Sequence, residues 1–328
     1  MENKREKLTA IDSFICFMYS LVMPMLFSLT LEVIMIVLSY IAQVEYEVFI
    51  NQWLIKGIMY ILPSLAFLCS FLYYYKRNNI SFNKTIEYRK NYNTWSILLV
   101  IALAIVLVFG FTNFVGLVDY LYALMGYAPS GDLPIINNTV GNMFISIVLW
   151  AVIPAICEEL LFRGVIFKGL LDRYKPIFAM LIGGALFMLM HGSLQQTLYQ
   201  FILGFVLCLV YYLTKNIFYP MLLHFLNNAV VIVCDFLYLQ FGFDISSSFT
   251  TAWSFIWPVL VMIGAVAVVL GLIYLLQRVN KNKYEHIVAT EYEVMEKPAT
   301  ARLNKWMIAS IVVGVVLWIS GTISGWIE

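Results

Sequence analysis

The chain has 328 residues, of which 62% are hydrophobic and 12% charged, with a formal net charge of +1 and a mean hydropathy of +0.86. An ordinary soluble domain is about 45–50% apolar and about 25% charged, so the chain reads as a polytopic membrane protein. The near-neutral charge gives no reason to expect a nucleic-acid partner.

The first stretch, Met1 to Asp12, is polar, and the apolar run after it is too long for the h-region of a signal peptide. Runs of about 18–25 apolar residues match the thickness of a bilayer, and nine candidates lie at 14–42, 53–75, 95–125, 140–171, 176–191, 197–213, 217–241, 253–277 and 306–326. The expected fold class is therefore all-α, a polytopic helical membrane protein with about nine transmembrane helices. The fourth run is longer than a bilayer needs and is expected to reach into the interface; the fifth and sixth are short. Five cysteines, Cys16, Cys69, Cys157, Cys208 and Cys234, stand singly in these runs, which argues against a disulfide framework or a cysteine metal site.

Lysine and arginine mark alternate loops: "NKREK" at the N terminus, Lys76, Arg77, Lys84, Arg89 and Lys90, then Arg173 and Lys175, Lys215, and the 278–305 segment. The intervening loops at 43–52, 126–139 and 242–252 carry Glu45, Glu47, Asp132 and Asp244 and no basic residue. One topology fits, with the N terminus in the cytoplasm and the C terminus outside. Residues 1–139 are then about three N-terminal helices, 140–277 a helical core, 278–305 a cytoplasmic connecting loop and 306–328 an additional C-terminal helix. Residue usage rich in Asn, Lys, Ile and Tyr looks like that of an AT-rich genome and points to a bacterial inner membrane over a eukaryotic endoplasmic reticulum.

Ionisable groups deep in a span cost about 2.5–3.5 kcal/mol on insertion scales, which makes each a functional candidate. They are Glu32, Asp119, Glu158, Glu159, Arg163, His191, His224 and Asp235, with Asn228 as a polar companion. Glu159 and Arg163 are four apart with the carboxylate first, the better order for an ion pair, and this pair reads as structural support. Glu158 is about 100° around the helix with no basic partner on its own helix, which suits a general base, or else a polar seam between helices. Pro154, one turn upstream, is expected to kink the helix and free a carbonyl. His191 ends "FMLMHG", and His224 and Asn228 in "HFLNN" share one helix face. Asp235 either continues that seam or lies near the outer headgroups. At about 1.5 Å per residue, Glu158 is roughly 15 Å in from Lys168, His224 roughly 14 Å from Lys215 and His191 roughly 24 Å from Lys175. The fifth helix must tilt or start lower for the three to meet.

Together these groups supply an acid/base, a second proton-handling group and neutral donors, the kit for adding water to an amide. Their order and spacing, E-E-x-x-x-R at Glu158 to Arg163, F-x-x-x-H at Phe187 to His191 and H-x-x-x-N at His224 to Asn228, resemble the CPBP (CAAX protease and bacteriocin-processing, Abi) intramembrane proteases. That family includes the type II CAAX prenyl endopeptidases, and the resemblance covers roughly 140–240. It implies a catalytic cavity open to the cytoplasm, with Glu158 and His191 activating water, His224 and Asn228 stabilising the oxyanion, and Glu159 and Arg163 supporting them. The favoured mechanism uses no cofactor, with zinc as the alternative. Glu158, His191 and His224 also make a His₂Glu set of the kind that holds catalytic zinc, but the helical H-E-x-x-H arrangement is missing. The expected function is an intramembrane endopeptidase acting on a peptide or lipidated protein among membrane lipids. The alternatives are a non-proteolytic scaffold that regulates a protein partner in the membrane, or a proton-coupled transporter, against which stands the lack of internal symmetry.

Overall fold

A computed structural model describes residues 7–50, 53–81, 86, 88, 92–127, 139–242, 251–281 and 304–327. Nine long helical segments occupy the nine expected runs among these residues: α1 Ala10–Ala42, α2 Trp53–Arg77, α3 Thr94–Leu124, α4 Val140–Leu171, α5 Pro176–His191, α6 Leu194–Thr214, α7 Phe218–Phe241, α8 Ala252–Val279 and α9 Lys305–Ile327. Seven of them, all but α2 and α5, are long and apolar enough to cross a membrane. The chain is a multi-pass helical protein, but nine crossings are not established. α5, at 16 residues, spans only about 24 Å against a hydrocarbon core of about 30 Å, because Gly192 ends it in the left-handed conformation at φ 59°.

Helix α1 starts on a capping box. The Asp12 carboxylate accepts from the Thr9 amide at 2.6 Å and the Thr9 hydroxyl at 2.8 Å, satisfying donors that a helix start leaves open. Tyr74 of α2 donates to the other Asp12 oxygen. From Ala10 to Leu21 α1 is largely buried; beyond Pro24 it is mostly exposed, Tyr40 to 85%. There α1 and α2 part around an apolar groove lined by Leu26, Phe27, Thr30, Ile34 and Leu62.

Helix α4 is irregular. Two π-helical turns, Val148–Val152 and Phe162–Phe167, flank the α-helical stretch Ile153–Leu161. Wide turns of this kind leave carbonyls without their usual partner and recur at functional sites. At the second one, Ser13 of α1 donates to the Ile166 carbonyl at 2.7 Å, and Gly169 lets the start of α1 approach, since a Cβ there would stand 2.4 Å from the Thr9 carbonyl oxygen. Small residues also set the α5–α6 crossing, where a Cβ at Gly184 would meet the Phe201 carbonyl at 2.9 Å. α3 packs between α7 and α8, and α9 lies against α1 and α5.

The ends that carry basic residues gather on one side. Lys7 pairs with Asp172 at 2.8 Å, Tyr174 reaches Met307 at 3.6 Å, the Asn93 amide donates to the Tyr219 hydroxyl at 2.8 Å, and Asn280 donates to Ser96 at 3.0 Å. Of the acidic loops used to infer orientation, 128–138 with Asp132 and 243–250 with Asp244 lie outside the described residues, as does most of the 278–305 loop, whereas Glu45 and Glu47 lie within them.

Gly169→Ala is expected to lower the melting temperature through an overpacking cost of about 1–3 kcal/mol. Gly271→Ala, which meets nothing within 4 Å, should be neutral or stabilising by about 0.5–1 kcal/mol. Equal melting of the two variants would remove the docking of α1 on the second π-turn.

Candidate active site

The centre of the site is an ion pair formed within α4. Arg163 Nη1 donates to Glu159 Oε1 at 2.8 Å, and both side chains are fully buried. The guanidinium does not stop there: Nη2 donates to the Gly204 carbonyl of α6 at 3.0 Å, and its plane lies over the Phe187 ring of α5, 5.0 Å from the centroid. Glu159 Oε1 also accepts from His224 Nδ1 of α7 at 2.9 Å. One ion pair thus ties α4 to three other helices and fixes the orientation of His224.

Glu158, the adjacent residue, faces another direction. Its Oε2 is buried, has no hydrogen-bond partner among the described residues and lies 3.9 Å from His224 Nε2. His191 Nδ1 meets the Phe187 carbonyl at 2.9 Å. A carbonyl only accepts, so Nδ1 carries the proton and the neutral ring keeps its lone pair on Nε2. Phe187 is the common neighbour: its ring lies 4.8 Å from that of His191, 5.8 Å from that of His224 and 5.0 Å from that of Phe162.

Asn228 is anchored by a consequence of Pro154. Proline lacks the N–H that would bond the carbonyl four residues back, that of Trp150. Asn228 Nδ2 donates to this Trp150 carbonyl at 3.1 Å, across the first π-turn, while Asn228 Oδ1 accepts from Asn227 Nδ2 at 3.2 Å. Tyr199 of α6 in turn donates to Asn227 Oδ1. The amide of Asn228 is therefore held at both ends, with one N–H still available. Sequence reasoning missed Asn227 and Tyr199. The first asparagine of "HFLNN", Asn227, was a signal in plain view, whereas Tyr199 carries none, since a tyrosine in an apolar helix resembles its neighbours.

Glu158, Glu159, Arg163 and His224 are thus neighbours, His191 joins His224 and Arg163 at the Phe187 ring, and Asn228 is anchored at the first π-turn. The other candidates do not join them. Glu32 is exposed on α1, Asp119 of α3 accepts from Gln195 of α6 at 3.0 Å, and Asp235 is half-buried farther along α7. Among the described residues no three His, Cys, Asp or Glu side chains form a group that could hold a metal ion, so Glu158, His191 and His224 do not supply the geometry a zinc reading needs.

The depth mismatch of His191 has two physical causes. Lys168 and Lys215 are not at the water boundary: their ammonium groups lie over the rings of Tyr211 at 5.9 Å and Tyr212 at 4.4 Å, with the charge carried along an apolar stem. Measured instead from Asp172, which pairs with Lys7, Glu158 is roughly 21 Å deep at about 1.5 Å per residue. The His191 ring also leans back one turn toward Phe187, the direction in which helical side chains point.

Residues 140–230 match the family described as "Type II CAAX prenyl endopeptidase Rce1-like". An 87-residue stretch is 31% identical to the protein named "Putative membrane peptidase YdiL" of Bacillus subtilis (strain 168), over 26% of this chain. The chain spans 36% of that relative's length. No solved structure matches. The matched segment holds every residue of the buried cluster and all three motifs that resemble the CPBP proteins.

Proposed function

We propose that this chain is an intramembrane endopeptidase that hydrolyses a peptide bond in a membrane-associated or lipidated peptide or protein, with Glu158 activating the water. The observation that carries the reading is the contrast between two adjacent carboxylates. Glu159 is engaged through Oε1 by both Arg163 and His224, its Oε2 being left without a hydrogen bond, whereas Glu158 Oε2 has no hydrogen-bond partner among the described residues and faces His224 Nε2 at 3.9 Å. The description of the matching family and the printed name of the relative support peptidase chemistry.

In this mechanism Glu158 takes a proton from water while His191 Nε2 accepts from the other O–H and orients it. The water oxygen bonds to the carbonyl carbon, and the carbonyl oxygen becomes an oxyanion. The available N–H of Asn228 and the Nε2–H of His224 receive that charge. His224 donates from Nε2 only with both ring nitrogens protonated, and two carboxylates against one guanidinium supply the negative charge that such an imidazolium balances. Collapse re-forms the carbonyl and breaks the C–N bond as the proton held by Glu158 passes to the leaving nitrogen. No cofactor enters any step. The N terminus is cytoplasmic and the C terminus outside in this reading, in a bacterial cell membrane, because basic ends stay inside and Lys7, Arg173, Lys175 and Lys305 share one side through the Lys7–Asp172 and Tyr174–Met307 contacts.

Glu158→Gln keeps shape and fold and loses the base, so cleavage of a peptide library should fall by about 10²–10⁴ in kcat with an unchanged melting temperature; wild-type turnover would remove Glu158 from the mechanism. Asn228→Ala is expected to cost about 10²–10³ in kcat with KM nearly constant, and Tyr199→Phe a smaller share of the same loss. A defect confined to KM in both would argue against an oxyanion role. Exhaustive chelation should leave activity intact; loss restored by added zinc would overturn the glutamate mechanism, and a wild-type chain that cleaves nothing would leave a scaffold role.

A further inference from the structure

Helix α9 lies outside the residues that match the family, 140–230, yet it holds the chain on both sides of His191. A Cβ at Gly314 would stand 3.5 Å from Leu189 Cδ1, two residues before the histidine. A Cβ at Gly321 would stand 2.0 Å from the carbonyl oxygen of Gly192, the residue that directly follows it. The next carbonyl, that of Ser193, accepts from the Thr197 hydroxyl at 2.8 Å, and that hydroxyl accepts from Trp318 Nε1 at 2.8 Å. Gly321 and Trp318 are three apart and so share a face of α9.

The bond from His191 Nδ1 to Phe187 fixes the ring relative to α5. It does not fix where the end of α5 stands relative to Glu158 on α4. The turn at Gly192 and Ser193 bears on that distance, and α9 meets it twice, directly at the Gly192 carbonyl and through the Thr197 hydroxyl of α6 at the Ser193 carbonyl. The approach of Gly321 is to backbone, which cannot swing aside as a flexible side chain can.

We infer that α9, through Gly321 and Trp318, positions His191 against Glu158 for the reaction. Both are positioning residues, and the inference rests on the hydrolytic reading above. Gly325 provides the comparison. A Cβ there would meet the Tyr127 ring at 2.3 Å, which strains α9 without touching the turn after His191.

The test uses the full chain purified in detergent, with the library peptide that the wild type cleaves fastest, and measures kcat, KM and melting temperature for Glu158→Gln, Gly321→Ala, Trp318→Phe and Gly325→Ala. Misplacing a reacting group by about 1 Å costs up to about a hundredfold, so Gly321→Ala should lose roughly tenfold to a hundredfold in kcat with KM within about twofold. Trp318→Phe keeps the ring and loses the N–H, and should lose several-fold in kcat; it carries the test if Gly321→Ala does not fold. Gly325→Ala should melt lower and keep its kcat. Losses in Gly321→Ala and Gly325→Ala that both follow melting temperature, or an unchanged kcat in Gly321→Ala and Trp318→Phe, would overturn the positioning role alone. Absence of cleavage by the wild type, or cleavage undiminished in Glu158→Gln, would overturn the hydrolytic reading and this inference with it.

Discussion

The arrangement depends on a buried charge pair that a single helix completes by itself. Glu159 and Arg163 are fully buried, and an unpaired charge at such a place costs about 3–5 kcal/mol when its partner is removed. Because the two sit four apart on α4, the pair exists as soon as that helix forms, before any neighbour arrives. Each then gains one further partner from a different helix, the Gly204 carbonyl for Arg163 and His224 Nδ1 for Glu159, while Arg163 Nε and Glu159 Oε2 stay without a hydrogen bond among the described residues. The pair adds little net stability over an apolar core of equal volume. It specifies which faces of α6 and α7 turn inward, and with them the rotation of His224.

The second constraint is backbone. A helix in lipid satisfies its own hydrogen bonds, so a carbonyl becomes available to a neighbour only where the ladder is broken. α4 is broken twice, and both breaks are used: Trp150 by Asn228 at the first π-turn and Ile166 by Ser13 at the second. The first break has its cause in Pro154. The second has Gly164 within it, where a Cβ would meet Ile86 at 2.5 Å, so close approach of a neighbouring segment accompanies the wide turn.

What the sequence made legible was local. Helical periodicity was enough to pair Glu159 with Arg163, to turn Glu158 away from them, and to foresee a free carbonyl near Pro154. It could not show that Asn228 would claim that carbonyl, since this depends on the rotation of α7 against α4. The role of Tyr199 stayed invisible for the same reason, as its bond to Asn227 crosses from α6 to α7. The depths of Glu158 and His224 were counted from Lys168 and Lys215, whose ammonium groups stand over tyrosine rings and so mark the water boundary poorly. The boundaries of the long helices were readable, but the number of crossings was not, since both α2 and α5 fall outside the helices long and apolar enough to cross.

Helix α1, at 33 residues, is about 50 Å long, whereas the hydrocarbon slab is about 30 Å thick. Such an excess is absorbed by tilting or bending, at a fraction of a kcal/mol per Å. Only the stretch before Pro24 is firmly seated, clasped at Thr9 and Ser13 against the second π-turn. The proline falls where the seating ends, so hydrophobic mismatch with a thin or thick bilayer is taken up by the free outer arm of α1, and the clasp beside α4 is spared the strain.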